Sequence, residues 1–147
     1  MNELQPVPFV WPVRVYFEDT DAGGVVYHSR YLNFFERART EMLRAGVISM
    51  TALKQDHKLI WVVLDANVKF LQAARLDDEL LVTAELTWMK GVRQGFRQQI
   101  TRKTDGVLVA TADITAAMLH ADSLKPARMP AWIKTELENG GSIKNAE

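Results

Sequence analysis

The stretch YFEDTDAGGVVYHSRYLNFFERARTEML, residues 16–43, changes character twice. A strand-like run passes through Glu18, Asp19 and Asp21, meets two adjacent glycines at Gly23 and Gly24, and becomes helical. Tyr31, Phe34, Phe35, Ala38, Met42 and Ala45 recur at i, i+3, i+4, i+7, i+11 and i+14, which makes one broad apolar face at helical period. Arg37, Glu41 and Arg44 fall on the other side, with Arg37 and Glu41 at the spacing of an i,i+4 ion pair. Ser29 suits the N-cap, and Gly46 is placed to end the helix.

Outward from that helix the chain reads as strands. Residues 1–11 carry Pro6 and Pro8 and suit a loose or edge-hugging arm; Val13–Glu18 reads as the first strand. Leu59–Leu71 is rich in Val, Ile and Trp. Glu79–Met89 sets Leu80, Val82, Ala84, Leu86 and Trp88 on one face. Lys90-Gly91 turns into a strand over Arg93–Lys103, and Asp105-Gly106 is a hairpin signal before Val107–His120. The tail, with Pro126 and Pro130, is expected on the surface. The pattern is one strand, one long helix and four strands on short turns. It predicts an α+β domain in which the helix covers one face of an antiparallel sheet of about five strands.

With 147 residues, 48% hydrophobic and 24% charged, the chain reads as a single globular domain, residues 1–147. Its 18 basic residues balance 18 acidic ones with no basic cluster, which argues against a nucleic-acid partner. It has no cysteine, so disulfides, a Cys nucleophile, zinc ribbons and iron–sulfur sites are excluded. The N-terminus lacks the features of a signal peptide, and Leu59–Leu64 is far too short to span a bilayer. No membrane span is expected, and the cytoplasm is the default location.

The acidic turn admits several readings. It fits a solvated strand-to-helix turn, since acids sit well near a helix N-terminus and glycines permit positive φ. A calcium loop counted from Asp19 fails at its twelfth position, which is Arg30 where a bidentate Glu is required. A phosphate cradle lacks any glycine fingerprint and sets Asp21 against the anion. The turn also holds the parts for acyl transfer: a carboxylate, glycines that allow close approach, and helix N–H groups to hold an oxyanion.

The run EDTDAGGVVYHSRYLNFFERARTEML, with ARLDDEL and KPARMP further on, resembles the hotdog-fold acyl-CoA thioesterases of the 4-hydroxybenzoyl-CoA thioesterase type, in the YbgC-like branch associated with the Tol-Pal envelope system. The D-x-D-x-x-G pattern falls on Asp19, Asp21 and Gly24, and the likeness covers about residues 12–132. It implies a long helix wrapped by an antiparallel sheet, paired as a homodimer or homotetramer with sites at the dimer interface. It also implies hydrolysis of an acyl-CoA to a free acid and CoA, with no cofactor and no metal. Asp21 matches the catalytic carboxylate, as nucleophile or general base, and His28 a position that contacts the thioester or orients water. Backbone N–H groups at Tyr27 and His28 are the expected oxyanion donors, with Gly24 at the close-approach position and Gly23 helping the turn. Lys90, Arg93 and Arg128, at turns or past a strand, are candidates for the CoA phosphates.

His57 and His120 have no comparable setting and read as structural, as do Glu36 and Glu41 on the helix; Glu18 and Asp19 are expected to shape the loop. Two other readings stand beside the thioesterase. One is a hotdog dehydratase or hydratase using His28 with Glu36 or Glu41. The other is a non-catalytic acyl-CoA-binding module serving an envelope or lipid-synthesis complex, with an acyl carrier protein or envelope protein as partner.

Overall fold

The computed structural model describes residues 4–6, 8–46, 48–139 and 143–145. Parts of the N-terminal arm, and the ends of the single-domain span, lie outside the described residues. The elements run β1 (Leu4–Pro6), β2 (Phe9–Arg14), α1 (His28–Ala45), α2 (Met50–His57), β3 (Leu59–Phe70), β4 (Glu79–Lys90), β5 (Arg93–Arg102), β6 (Leu108–His120), α3 (Ala131–Asn139) and β7 (Ile143–Asn145). A five-stranded sheet has the order β2-β4-β5-β6-β3, every neighbouring pair antiparallel, and β1 pairs with β7 apart from it.

The amphipathic stripe decides this arrangement. Tyr31, Phe34, Phe35, Ala38 and Met42 are all buried, with both phenylalanines at zero exposure, while β4 contributes Leu80, Val82, Ala84 and Leu86, also at zero exposure. Strand period two and helix period 3.6 thus present one apolar face each, and the two faces close on one another. This is the hotdog arrangement. Ala45 is exposed and Leu43 is buried in its stead, because the chain leaves α1 at Gly46 and the Ile48 N–H returns to the Leu43 carbonyl at 2.9 Å. Arg37 lies over the Phe34 ring at 5.6 Å, and Glu41 pairs with Arg44, so the expected Arg37–Glu41 bridge is not formed.

Several boundaries differ from expectation. The strand expected over Val13–Glu18 is β2, which begins at Phe9, inside the supposed loose arm, and stops at Arg14; Phe17–Asp19 is instead a single 3-10 turn. Strand β3 does not neighbour β4. Residues 71–78 carry the chain across, and β3 ends at the margin of the sheet, paired only with β6. Helix α2 was not expected; Ser49 Oγ caps it by accepting from the Ala52 N–H, and Lys58 ends it at φ 56°. The tail is not merely superficial, since α3 buries Ile133 and Leu137 one helical turn apart.

Trp88 leaves the inward face foreseen for it and is 44% exposed. A register shift between Leu86 and Trp88 turns the ring off that face and lays it over Gly95, its cross-strand partner. A Cβ on Gly95 would stand 1.8 Å from the indole nitrogen, so the glycine is what lets the ring lie flat. Gly95→Ala is expected to lever Trp88 into solvent, red-shifting tryptophan emission and costing about 1–3 kcal/mol in urea unfolding. An unchanged spectrum and midpoint would refute that account.

Candidate active site

The acidic loop is a tight, internally bonded turn. The Asp19 carboxylate, with the residue only 3% exposed, accepts the Tyr16 N–H at 2.8 Å, while the Asp19 N–H donates to the Tyr16 carbonyl at 3.0 Å. The two bonds close the 3-10 turn reciprocally. Arg30 lies over the same carboxylate at 3.7 Å and over Glu18 at 3.8 Å, and its Nη2 donates to the Glu18 carbonyl. The sequence reading assigned Arg30 no role; the helical turn that brings it back over the loop is visible only in three dimensions. Asp19 and Glu18 do shape the loop, with Asp19 much the more deeply held.

Beyond that turn the chain reverses. Thr20 bridges Val26, the Asp21 N–H donates to the Val25 carbonyl at 2.9 Å, and the Gly24 N–H to the Asp21 carbonyl at 3.0 Å. Gly24 stands at φ 80°, where a side chain is strained, with no atom near enough to crowd a Cβ. Its requirement is conformational. Val25 bridges Arg75 and the Val26 N–H donates to the Ala74 carbonyl, so the turn is stitched to the segment between β3 and β4. Tyr31 pins the same segment by accepting the Ala74 N–H, and burial pushes its phenol above the ordinary value.

The loop leaves Asp21 exposed. Its Oδ1 accepts the Gly23 N–H at 2.8 Å, and Oδ2 makes no hydrogen bond among the described residues. Two residues beyond the turn the chain enters α1. Tyr27 is the N-cap, without a side-chain cap, two residues earlier than the expected Ser29. The Tyr27 N–H, expected as an oxyanion donor, instead donates to the Asp19 carbonyl at 2.9 Å. Among the described residues the N–H groups of His28 and Ser29 have no acceptor, so the open donors lie at the first positions of the helix.

Asp21 and His28 are not hydrogen-bonded to each other. Asp21 lines an open depression with Phe17, Thr20 and Leu76. His28 lines a second depression with Tyr31, Phe70 and Gln72, its ring tilted against Tyr27 at 4.4 Å. Lys90 and Arg93 face each other across the Gly91 turn, at the opposite end of the sheet. The ten residues of β5 separate Arg93 from Arg102, whose guanidinium reaches the Ala73 carbonyl beside the loop; that is about 30 Å of strand. Arg128 follows Ala127, which bonds Met118, and so lies at the far end too. Within one chain none of these three cations joins Asp21. Arg75, exposed beside Val25, is the cation that the fold places at the loop in addition to Arg30. Glu36 bonds Thr40 and Glu41 bonds Arg44, both on the helix and away from the turn.

Asp19→Ala orphans the Tyr16 N–H and unseats Arg30, so it is expected to cost about 1–3 kcal/mol in urea unfolding. Glu18→Gln, on the exposed side of the same arginine, should change stability by under about 0.5 kcal/mol. Equal effects would show that the buried bond is not what holds the loop.

Residues 15–137 match the model of the family described as the thioesterase-like superfamily. The acyl-CoA thioesterase YbgC of Haemophilus influenzae is 43% identical over 126 residues, covering 86% of this chain and 91% of that protein. The acyl-CoA thioester hydrolase YbgC of Escherichia coli O6:H1 is 42% identical over 130 residues, 88% and 96% of the two chains. Among solved structures, a probable thioesterase from Bartonella henselae superposes with a TM-score of 0.79 at 33% identity, over 84% of this chain and 99% of that one. Slr0204, a 1,4-dihydroxy-2-naphthoyl-CoA thioesterase from Synechocystis, shares the fold at a TM-score of 0.82 and 24% identity, over 88% and 95%. The chain therefore belongs to the thioesterase-like superfamily of hotdog-fold proteins, in its YbgC-like branch.

Proposed function

We propose that this protein is an acyl-CoA thioesterase, cleaving the thioester to a free acid and CoA with Asp21 as its reacting carboxylate. The observation that carries the reading is the pairing of an exposed carboxylate, steadied by the Gly23 N–H, with unoccupied N–H groups at the adjacent helix start. Those groups suit an oxygen that gains negative charge as the carbonyl is attacked. Asp21 either attacks the carbonyl carbon, expelling the thiolate and leaving an anhydride for water to open, or takes a proton from the water that attacks. Both routes break the C–S bond and release the same acid and thiol. His28 borders the substrate, and Gly23 and Gly24 keep the approach clear of side chains.

The same reading makes the working unit a pair of subunits. Strand β3 is twelve residues long, carries Val63 and Leu64 about half exposed, and among the described residues has a partner on one side only. A long, apolar, unpaired edge favours pairing with another strand. An antiparallel β3–β3 contact reverses the second sheet, which brings that subunit's Lys90, Arg93 and Arg128 end alongside this subunit's acidic loop. Cations distant from Asp21 within one chain thus become candidates for the CoA phosphates across the contact. We place the activity in the cytoplasm; among the described residues no helix is long and apolar enough to cross a membrane.

Thiol release from acyl-CoAs of short, medium and long chain tests the chemistry. Asp21→Asn, folded by circular dichroism, should lose about a hundredfold or more in kcat. Undiminished turnover would remove Asp21 from the mechanism, and inertness of the wild type on every acyl-CoA would remove the thioesterase. Leu64→Lys charges the open edge, and sedimentation velocity should show a monomer with turnover lost in step. A fully active monomer would refute the two-subunit site.

A further inference from the structure

A cavity of about 150 Å³ lies under the second half of α1, away from the acidic loop of its own chain. Leu43, Met50, Val62 and Phe96 give it apolar walls, and Arg39 and Glu36 are its charged members. Arg39 is half-buried, and burial pulls its guanidinium below the ordinary arginine value, with the Glu36 charge drawing it back up. Its one hydrogen bond among the described residues runs from Nη1 to Gln98 Oε1, 2.9 Å away, and no carboxylate lies within 4.0 Å.

That is an unusual state for a guanidinium. It has five donors, and a neutral amide oxygen serves one. A half-buried cation gains from a counter-charge with matching geometry. Gln98 is itself fully buried, and its amide nitrogen is committed to the Phe35 and Thr83 carbonyls at 2.9 and 3.1 Å. Its oxygen is thereby fixed toward Arg39, so the arginine is held by a group that orients it without neutralising it. Glu36, at the exposed rim of the same cavity, is bonded by the Thr40 hydroxyl.

From these contacts we infer that the cavity receives the far end of an acyl group bearing a terminal carboxylate, with Arg39 as the residue that selects it. The volume suits about six non-hydrogen atoms, the size of benzene in a cavity of this kind. Apolar walls then take the methylenes and the guanidinium takes the carboxylate in a two-bond fork. The cavity is too small and too apolar for the phosphates of CoA. The substrate class is short dicarboxylic monothioesters, about five carbons long. This rests on the thioesterase reading and on the β3 pairing, whose reversal sets one subunit's acidic loop at the end of the sheet where the other holds this cavity.

The test compares glutaryl-CoA with pentanoyl-CoA, which differ by a carboxylate in place of a methyl group. Wild type should favour glutaryl-CoA in kcat/KM by at least about tenfold, because a site built to bond a polar group rejects the analogue lacking it. Arg39→Met should abolish or invert that preference, with circular dichroism the measure that the variant folds. Should the loss of the Gln98 contact unfold it, Glu36→Gln provides the second arm: removing the competing carboxylate should raise the glutaryl preference. A wild type that favours pentanoyl-CoA, or a preference that neither variant alters, overturns the inference. If neither thioester is hydrolysed, the wider acyl-CoA panel decides the thioesterase reading, while calorimetric binding of the two to wild type decides this inference. Tighter binding of glutaryl-CoA would support it; equal affinities would overturn it.

Discussion

The burial of one aromatic face of α1 against the concave side of the sheet is the contact on which the other features depend. Phe34 and Phe35 are fully enclosed, and each contributes about 1.5–3 kcal/mol of transfer free energy. More than stability follows from it. A helix seated by two adjacent aromatics has one rotation and one height over the sheet. Its first turn is therefore fixed in space, and with it the two open N–H groups at His28 and Ser29. The acidic loop has eight residues in which to connect Asp19 to that fixed point, and its hydrogen bonds to Ala74 and the Arg75 bridge remove what slack remains.

Besides Asp19 in the acidic loop, the described interior departs from a purely apolar core at two places, both on β5. Gln94 and Gln98 are fully buried, and every polar atom of each finds a partner: Trp61 and the Val92 carbonyl for one; Arg39, Phe35 and Thr83 for the other. Buried amides left unpaired would each cost about 1–3 kcal/mol, so these networks cannot slide by a residue without penalty. They lock the register of β5 under α1 at the point where the apolar pattern alone would tolerate a shift.

How much of this was legible in the sequence follows from the range of each signal. The α1 stripe and the β4 alternation are local and periodic, and both elements lie where the pattern put them. The hairpin glycines Gly91 and Gly106 stand at φ 62° and 70°, as turn chemistry requires. Non-local facts were not legible. Nothing along the chain says that β3 avoids β4 and closes on β6, because sheet order is set by how the 71–78 crossing packs. The eight residues of α2 bury a single side chain, Leu53, too little to write a stripe. At the site, Asp21 and Gly24 were visible because they sit side by side in sequence. Arg30, Arg39 and Gln98 were not, since each acts on a group reached only after folding.

A last step concerns why the site is divided. Within one chain the exposed carboxylate of Asp21 and the His28 depression lie at the loop end, while the Lys90–Arg93 turn and the Arg39 cavity lie away from it along the sheet. A single hotdog layer gives a helix one sheet to rest on, and Phe34, Phe35 and Leu86 fill that contact at zero exposure, beside the small cavity under the second half of α1. On the proposed reading the acyl chain lies along the helix flank beyond β3, where the sheet stops and Trp61, Val62 and Val63 border open space. A second sheet continuing from that edge would roof this flank and turn a shallow trench into a tunnel. The same exposed edge that makes the lone subunit prone to association is then the wall that an acyl chain needs.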